Sequence, residues 1–174
     1  VVRLGEDALP RDNTFYFAIS RGQALSVLVI DGREGGAPRS LYVERALGIG
    51  DQPNFRVTTK RLASVTASDF AGRSLVLLND SDLPGGDLGR RLVEYVENGG
   101  GLLVALGDRA APRDRPAYAS ELLPGTADAP IDRTADRGGT LGYIDRSHPI
   151  FEVFSAPRSG DFSTPRFFRY RSIT

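Results

Sequence analysis

The sequence predicts an α/β protein: a flavodoxin-like three-layer sandwich with a mainly parallel sheet, which we expect to be truncated at the C-terminus. Two apolar, β-rich runs, Leu25–Ile30 and Ser74–Leu78, have the composition of strands buried on both faces. A third, Leu102–Leu106, directly follows an amphipathic helix and a glycine turn. This alternation of strands and helices is typical of a doubly wound sheet with helices on both faces.

The elements are predicted from periodicity and from start and stop residues. Ser40 followed by Glu44 has the spacing of a helix start, and Gly48 or Gly50 is expected to end that helix. In chain order we predict a strand at Leu25–Ile30, a helix from Ser40, a strand near the sheet edge at Phe55–Thr59, a short helix at Ser64–Phe70, a strand at Ser74–Leu78, a helix at Asp87–Asn98 and a buried strand at Leu102–Leu106.

The flanking segments are less regular. Residues 1–20 contain a β-rich run from Thr14, which is either the end of a preceding β domain or an edge strand of the same domain. We take residues 21–174 as the α/β domain, with 110–139 as a long loop or insertion because four prolines interrupt it. One helical turn is expected at Tyr118–Leu123, and strands at Thr140–Ile144 and Arg166–Arg171.

Composition excludes several classes of function. The 174 residues carry a formal net charge of zero, which argues against nucleic acid as a partner. The chain has no cysteine, so it has no disulfide, no thiolate metal site and no cysteine nucleophile. No apolar run is long enough to cross a bilayer, so we expect a soluble domain. Because the sequence lacks methionine and begins with Val1, we also expect it to be a piece of a longer protein.

Aspartates follow the ends of three predicted strands. Asp31, Asp80 and Asp108 take these positions, Asp82 lies two residues beyond Asp80, and Arg109 follows Asp108. The carboxyl ends of parallel strands share one edge, where clustered carboxylates could hold Mg²⁺ or accept a phosphoryl group. Aspartates are also common where strands give way to turns. We favour that structural interpretation, since no lysine and threonine set completes a phosphate site, and we predict no cofactor.

Two further motifs carry possible chemistry. Gly99–Gly101 could cradle phosphate, but a dinucleotide site needs strand, glycines and then helix, whereas these glycines follow a helix. We interpret them as a helix end and a turn. His148 is the only histidine, so any histidine chemistry must use it. It lacks a cysteine or a Gly-x-Ser-x-Gly serine as a nucleophile, and ordering a turn is its expected role.

The C-terminal segment combines arginines and aromatic residues. Arg166, Arg169 and Arg171 alternate with Phe167, Phe168 and Tyr170. Such alternation can clamp single-stranded nucleic acid, and it also describes an amphipathic strand with an arginine-rich outer face. At zero net charge we favour the strand.

The order of several motifs resembles a known family. SLVLLND at residues 74–80, EYVENGGGLLVALGDR at 94–109 and SHPIFEVF at 147–154 resemble class I glutamine amidotransferase-like domains. SVLVIDG at 26–32 and FFRYR at 167–171 extend the likeness to the C-terminal half of bacterial aerotolerance-operon membrane proteins of the BatA type, which often contain a von Willebrand factor A domain. The resemblance covers nearly the whole chain.

The resemblance implies a membrane-anchored bacterial parent, with this domain on the extracytoplasmic side. In catalytic members a cysteine follows the strand that corresponds to Leu102–Leu106, whereas Gly107, Asp108 and Arg109 stand here. We therefore expect no catalytic residue and predict a non-catalytic interaction or ligand-sensing module.

Its partners would be proteins or the rest of its own chain, with a homodimer through an open sheet edge as one form. Candidate ligand-binding residues are Asp31, Asp80, Asp108, Arg109 and His148. The alternative is a metal-dependent enzyme or binder that uses the strand-end carboxylates.

Overall fold

The computed structural model describes residues 2–3, 14–15, 24–32, 40–49, 53–107, 117–149, 151, 162 and 164–174. Their strands are β1 (Val2–Arg3), β2 (Thr14–Phe15), β3 (Leu25–Asp31), β4 (Phe55–Arg61), β5 (Leu75–Asn79), β6 (Gly101–Ala105), β7 (Ile131–Asp132) and β8 (Arg169–Tyr170). The helices are α1 (Ser40–Leu47), α2 (Gly86–Glu97) and α3 (Ala119–Leu122), with 3₁₀ turns at Leu62–Ser64 and Ala67–Phe70.

A four-stranded parallel sheet forms the centre of the fold, in the order β4-β3-β5-β6. The chain thus leaves β3 for one neighbour, β4, and returns to the other side of β3 for β5. Residues 27–31 of β3 are all buried, because this strand has a neighbour on each side and a packed layer on each face. The predicted α/β class with a mainly parallel sheet is confirmed.

Helices cover both faces of the sheet, as predicted. On the α2 side, Leu28 and Ile30 of β3 pack with Val76 and Leu78 of β5, with Leu92 of α2 buried above them. The 3₁₀ turns and α3 extend this layer. The other side has a smaller core, in which Val27, Val29 and Leu77 meet the half-buried Val43 and Leu47 of α1. Side-chain alternation along each strand separates the two layers.

The glycines after α2 end the helix. Gly99 has a positive φ of 90°, which favours glycine because a Cβ is strained there. The Gly100 N–H donates to the Tyr95 carbonyl and the Gly99 N–H to the Val96 carbonyl, each at 2.9 Å. This pair of bonds defines a Schellman motif. The interpretation of Gly99–Gly101 as a helix end and turn, rather than a phosphate cradle, is confirmed.

The beginning of α1 is where predicted, but for a different reason. The Glu44 side chain does not complete a capping box; its Oε1 accepts a hydrogen bond of 2.5 Å from Thr59 Oγ1 of β4. The Ser40 hydroxyl has no hydrogen-bond partner at all. A contact between Glu44 and the sheet therefore helps to hold this helix.

The strand β6 differs from the prediction of a strand covered on both faces. It is the edge of the four described strands, and Leu103 is 54% exposed on the α1 side. Its register neighbour Leu77 is only 5% exposed. An apolar run has the same composition whether one face or both are covered, so the sequence pattern could not distinguish these cases.

The C-terminal segment pairs with the region that was predicted as a long loop. Strands β7 and β8 are antiparallel, and isolated bridges join Ala127 to Ile173 and Gly139 to Phe167. We call residues 126–139 and 167–174 together the C-terminal ladder. The helical turn at Tyr118–Leu123 is confirmed as α3, and the predicted strand at Arg166–Arg171 is reduced to Arg169–Tyr170.

The predicted strand at Thr140–Ile144 is wrong: these residues form no strand, and Tyr143 is exposed. Residues of the alternating pattern become a strand only where a partner backbone lies alongside, and here the pairing with the C-terminal segment stops at Gly139.

At the other end of the chain, β1 and β2 pair with each other in a separate antiparallel ribbon. Every helix within the described ranges is too short or too polar to cross a lipid bilayer.

Candidate functional site

The carboxyl ends of β3, β5 and β6 bring a set of polar residues together at one edge of the sheet. The Gly32 N–H donates to the Asn79 carbonyl at 3.3 Å, and the Asp80 N–H donates to the Ala105 carbonyl at 2.9 Å. These bonds extend the sheet by one residue past each strand. A crevice at such a point, where the chain changes direction across the sheet, is the usual ligand site of open α/β folds.

Asp80 is buried at the centre of this edge. It is 5% exposed, and its φ of 49° is the only positive value at a non-glycine among the described residues. Aspartate tolerates this left-handed conformation better than most residues do. Its backbone packs so closely against Gly32 that a Cβ on that glycine would overlap the Asp80 carbonyl. The two strand ends are therefore fixed against each other.

The Asp80 side chain fills the space beside Gly107. A Cβ added to Gly107 would overlap all three atoms of the Asp80 carboxyl group. Gly107 is the second position after β6, and it directly follows the apolar run Leu102–Leu106. At Gly107, then, a carboxylate from the neighbouring strand occupies the place of a side chain.

Asp31 lies on the α1 side of the same edge. It is 5% exposed, and its Oδ2 accepts a hydrogen bond of 3.3 Å from the Ser40 backbone N–H, the first of α1. Carboxylates are stabilised near helix N-termini by the exposed N–H groups and the helix dipole. The beginning of α1 thus holds Asp31 in place.

Two buried polar atoms at this edge have no hydrogen-bond partner. They are Ser40 Oγ and Asn79 Nδ2, the only such side-chain atoms in the part of the chain that the structure describes. Buried polar groups in native proteins nearly always have a partner, so each exception needs an explanation. Asn79 is the last residue of β5, and the Ser40 N–H donates to Asp31 at the end of β3.

The structure brings only some of the site residues predicted from the sequence to this edge. It brings Asp31 and Asp80 to the same edge, whereas Asp82 is exposed on the way to α2. Asp108 and Arg109 lie outside the described residues. His148 is exposed in a turn: its N–H donates to the Asp145 carbonyl, and its ring meets the edge of Phe151 at 6.3 Å.

Sequence reasoning missed three residues of this edge. Ser40 and Asn79 were taken only as a helix start and a strand end. Arg171 was taken as part of a strand face, but its Nη2 donates to the Gly107 carbonyl and its Nη1 to the Asp128 carbonyl, each at 2.9 Å. The pattern of apolar and turn residues is local, so it could not predict a hydrogen bond between residues 64 positions apart.

Across the described ranges, no three acidic or histidine side chains converge as a metal site would require. Two other arginines of the C-terminal segment contact the ladder: Arg166 donates to the Arg137 carbonyl, and Arg169 pairs with Asp132 at 2.9 Å.

Comparison of the chain with protein-family models, with curated proteins and with solved structures finds no match in any of the three.

Proposed function

We propose that this chain is a non-catalytic, class I amidotransferase-like α/β module that senses a ligand or engages a protein at the carboxyl edge of its sheet. The strand order, with the first long strand inside and the second at its outer side, supports the flavodoxin-like assignment within the α/β class. The membrane-anchored bacterial parent and the extracytoplasmic side rest on the family resemblance.

The observation that carries the proposal is that the Asp80 carboxyl group fills the space beside Gly107. Amidotransfer by this family needs a nucleophilic side chain after the strand that corresponds to β6. Here the Asp80 carboxyl group lies against the Gly107 backbone, and the chain has no cysteine. Gly107 therefore has no side chain that could act as a nucleophile at this position.

An activity measurement tests the absence of catalysis. We expect no ammonia release from glutamine or from simple amides above the background of buffer. Turnover by the purified chain that disappears in Asp80→Asn would contradict the proposal, since this change preserves the shape of the side chain and removes its charge.

The packing of Asp80 against Gly107 can be tested separately by stability. We expect Gly107→Ala to lower the free energy of unfolding by about 1 to 3 kcal/mol, the usual cost of overfilling a packed site. The same change should cost far less in an Asp80→Gly background, where the carboxylate is gone. Gly142→Ala is the matched control, because a Cβ there meets open space. An equal loss of unfolding free energy in both backgrounds, measured by urea unfolding, would refute the packing of the Asp80 carboxyl group against Gly107.

The metal-dependent alternative remains a hypothesis. Titration of the chain with Mg²⁺, Ca²⁺ and Zn²⁺ by calorimetry tests it, and heat of binding that is lost in Asp31→Asn would favour it.

A further inference from the structure

The outer side of β6 presents backbone groups that a further strand could use. At the two ends of β6, the Gly101 N–H and the Ala105 carbonyl make hydrogen bonds of 3.1 and 2.9 Å on the β5 side. The backbone groups of successive residues in a strand point alternately to the two sides, so those of Leu102 and Val104 point away from β5. Within the described ranges these outward groups have no partner, because β6 is the last strand of the sheet.

The two edges of the four-stranded sheet differ in composition. The opposite edge, β4, carries Arg56, Lys60 and Arg61, and charged side chains on an edge strand oppose pairing with another chain. The strand β6 has the sequence GLLVA, without a charge or a proline, and its central residue Leu103 is 54% exposed. Of these two edges, only β6 therefore has the composition of a strand that pairs with another.

The residues of β6 are complementary to a second, antiparallel copy of the same strand. With a twofold axis at Leu103, Leu102 of each copy lies opposite Val104 of the other, and each such pair exchanges both N–H···O bonds because these are the residues with outward backbone groups. On the α1 side, Gly101 lies opposite Ala105, so a small residue faces a small one. The exposed Leu103 side chain meets its own copy at the axis.

We propose that β6 pairs with β6 of a second copy of this chain, antiparallel and centred on Leu103, so that two four-stranded sheets join into one. A twofold contact uses the same surface on both copies and is complete with two. The charged β4 strands lie at the outer ends of the joined sheet and oppose further growth. One short strand buries less area than a typical stable interface, so we expect micromolar association. The inference does not rest on the proposed function, since neither a ligand nor a nucleophile enters the contact.

Hydrogen exchange of the unaltered full chain at two protein concentrations tests the pairing directly. We expect the backbone amides of Leu102 and Val104 to exchange about 5 fold more slowly at roughly 1 mM than at roughly 10 µM, because only the dimer gives them an acceptor. The Leu103 amide points towards β5 in monomer and dimer alike, so it is the internal reference. Equal exchange of Leu102 and Val104 at both concentrations would overturn the proposal.

Single cysteines test the register, since the chain has no cysteine of its own. Leu103→Cys places two thiols opposite each other at the axis, where the Cα atoms of such a pair lie about 4.5 Å apart, within reach of a disulfide. Val104→Cys is the matched control, because the two copies of that residue are offset along the strands and lie roughly 8 to 9 Å apart, beyond that reach. With oxidised glutathione as oxidant, we expect Leu103→Cys to form covalent dimer at least about 10 fold faster.

A third variant, Ile173→Cys, measures cross-linking by random collision, because Ile173 is 67% exposed in the C-terminal ladder. Covalent dimer of Leu103→Cys that forms no faster than that of Ile173→Cys would overturn the proposal. Equal rates for Leu103→Cys and Val104→Cys would also overturn it, since the strands would not be centred on Leu103. The ammonia-release assay bears on neither rate, so failure of the dimer and failure of the non-catalytic assignment are told apart.

Discussion

At the scale of single residues, the best-defined electrostatic contact is that of Asp69. The side-chain hydrogen bond from Lys60 Nζ at 2.6 Å, followed by the backbone N–H of Thr66, lowers the pKa of Asp69 from 3.8 to about 2. Lys60 belongs to β4 and Asp69 to the second 3₁₀ turn, so the pair ties that turn to the sheet. Arg73, which follows this turn, adds a second link to the sheet: its Nη1 donates to Ser26 Oγ of β3 at 2.8 Å.

This pKa predicts a stability change in acid. A carboxyl group whose pKa is lower in the folded state stabilises the fold above its unfolded pKa, and that contribution is lost as pH falls from about 4 to 2. We expect Asp69→Asn to lower the free energy of unfolding by about 1 kcal/mol at pH 7, a value reduced because Lys60 is partly exposed.

The difference between Asp69→Asn and the parent should shrink as urea unfolding is repeated at pH 4 and then pH 3. Asp136→Asn is the control: Asp136 pairs with Arg133 at 3.4 Å in an exposed turn, and its replacement should change stability by less than about 0.5 kcal/mol. A deficit for Asp69→Asn that stays constant down to pH 3 would contradict the assignment.

The residue scale also separates what sequence could predict at the candidate site from what it could not. Asp31 and Asp80 were predictable, because strand ends and their order follow from local patterns. The roles of Ser40, Asn79 and Gly107 were not, since each depends on an atom of another element that packs beside it. A serine at a helix start looks the same in sequence whether its hydroxyl caps the helix or lies unpartnered against the sheet.

At the scale of elements, the end of α2 rests on one backbone conformation. We expect Gly99→Ala to lower the free energy of unfolding by about 1 kcal/mol, because alanine is strained at a φ of 90° and the Schellman bonds need that conformation. Nothing lies within 4 Å of the added Cβ, so the loss reports strain and not a clash. Gly142→Ala, in open space at an ordinary φ, should change nothing; a similar loss in both variants would refute this explanation.

The edge strand β6 gives the second prediction at this scale. Leu77 and Leu103 are register neighbours on the α1 side, one buried and one exposed. We expect Leu77→Ala to cost about 2 to 5 kcal/mol and Leu103→Ala less than about 1, since only the first leaves a cavity. Equal losses in thermal unfolding would mean that Leu103 is covered.

Sedimentation of the parent and of Leu103→Arg then tests the predicted homodimer through an open edge. We expect any concentration-dependent association to be weaker in Leu103→Arg, because a charge in an exposed strand opposes strand pairing.

Prediction from the sequence was most successful for these elements. The strands β3 and β5 and the helices α1 and α2 follow from apolar periodicity and from their end residues, and their limits moved by only one or two positions. The strand at Thr140–Ile144 was wrong and the exposure of β6 was missed for the same reason. Both depend on whether another part of the chain lies alongside, and that information is absent from a local pattern.

At the scale of the whole molecule, the C-terminal ladder and the parallel sheet are joined at the candidate site. Arg171 donates to the Gly107 carbonyl at the end of β6 and to the Asp128 carbonyl within the ladder. The guanidinium group thus bridges two sheets that share no strand among the described residues. Gly107 also packs against Asp80, so one residue contacts both the arginine of the ladder and the buried carboxylate.

This bridge predicts a selective loosening in Arg171→Ala. Hydrogen exchange should become faster by about 5 to 10 fold at the backbone amides of the C-terminal ladder, the range expected for a loss of about 1 kcal/mol from a local opening. The amides of β3 and β5 should exchange as in the parent, because their bonds lie within the sheet core. Arg166→Ala is the matched control: it removes a hydrogen bond to the carbonyl of Arg137 in the ladder and leaves the bridge to Gly107 intact. If Arg166→Ala and Arg171→Ala gave the same exchange at the Gly107 amide and its neighbours, the bridge would not join the two units. A selective effect of Arg171→Ala there would make this arginine the route by which the ladder influences ligand binding at the sheet edge.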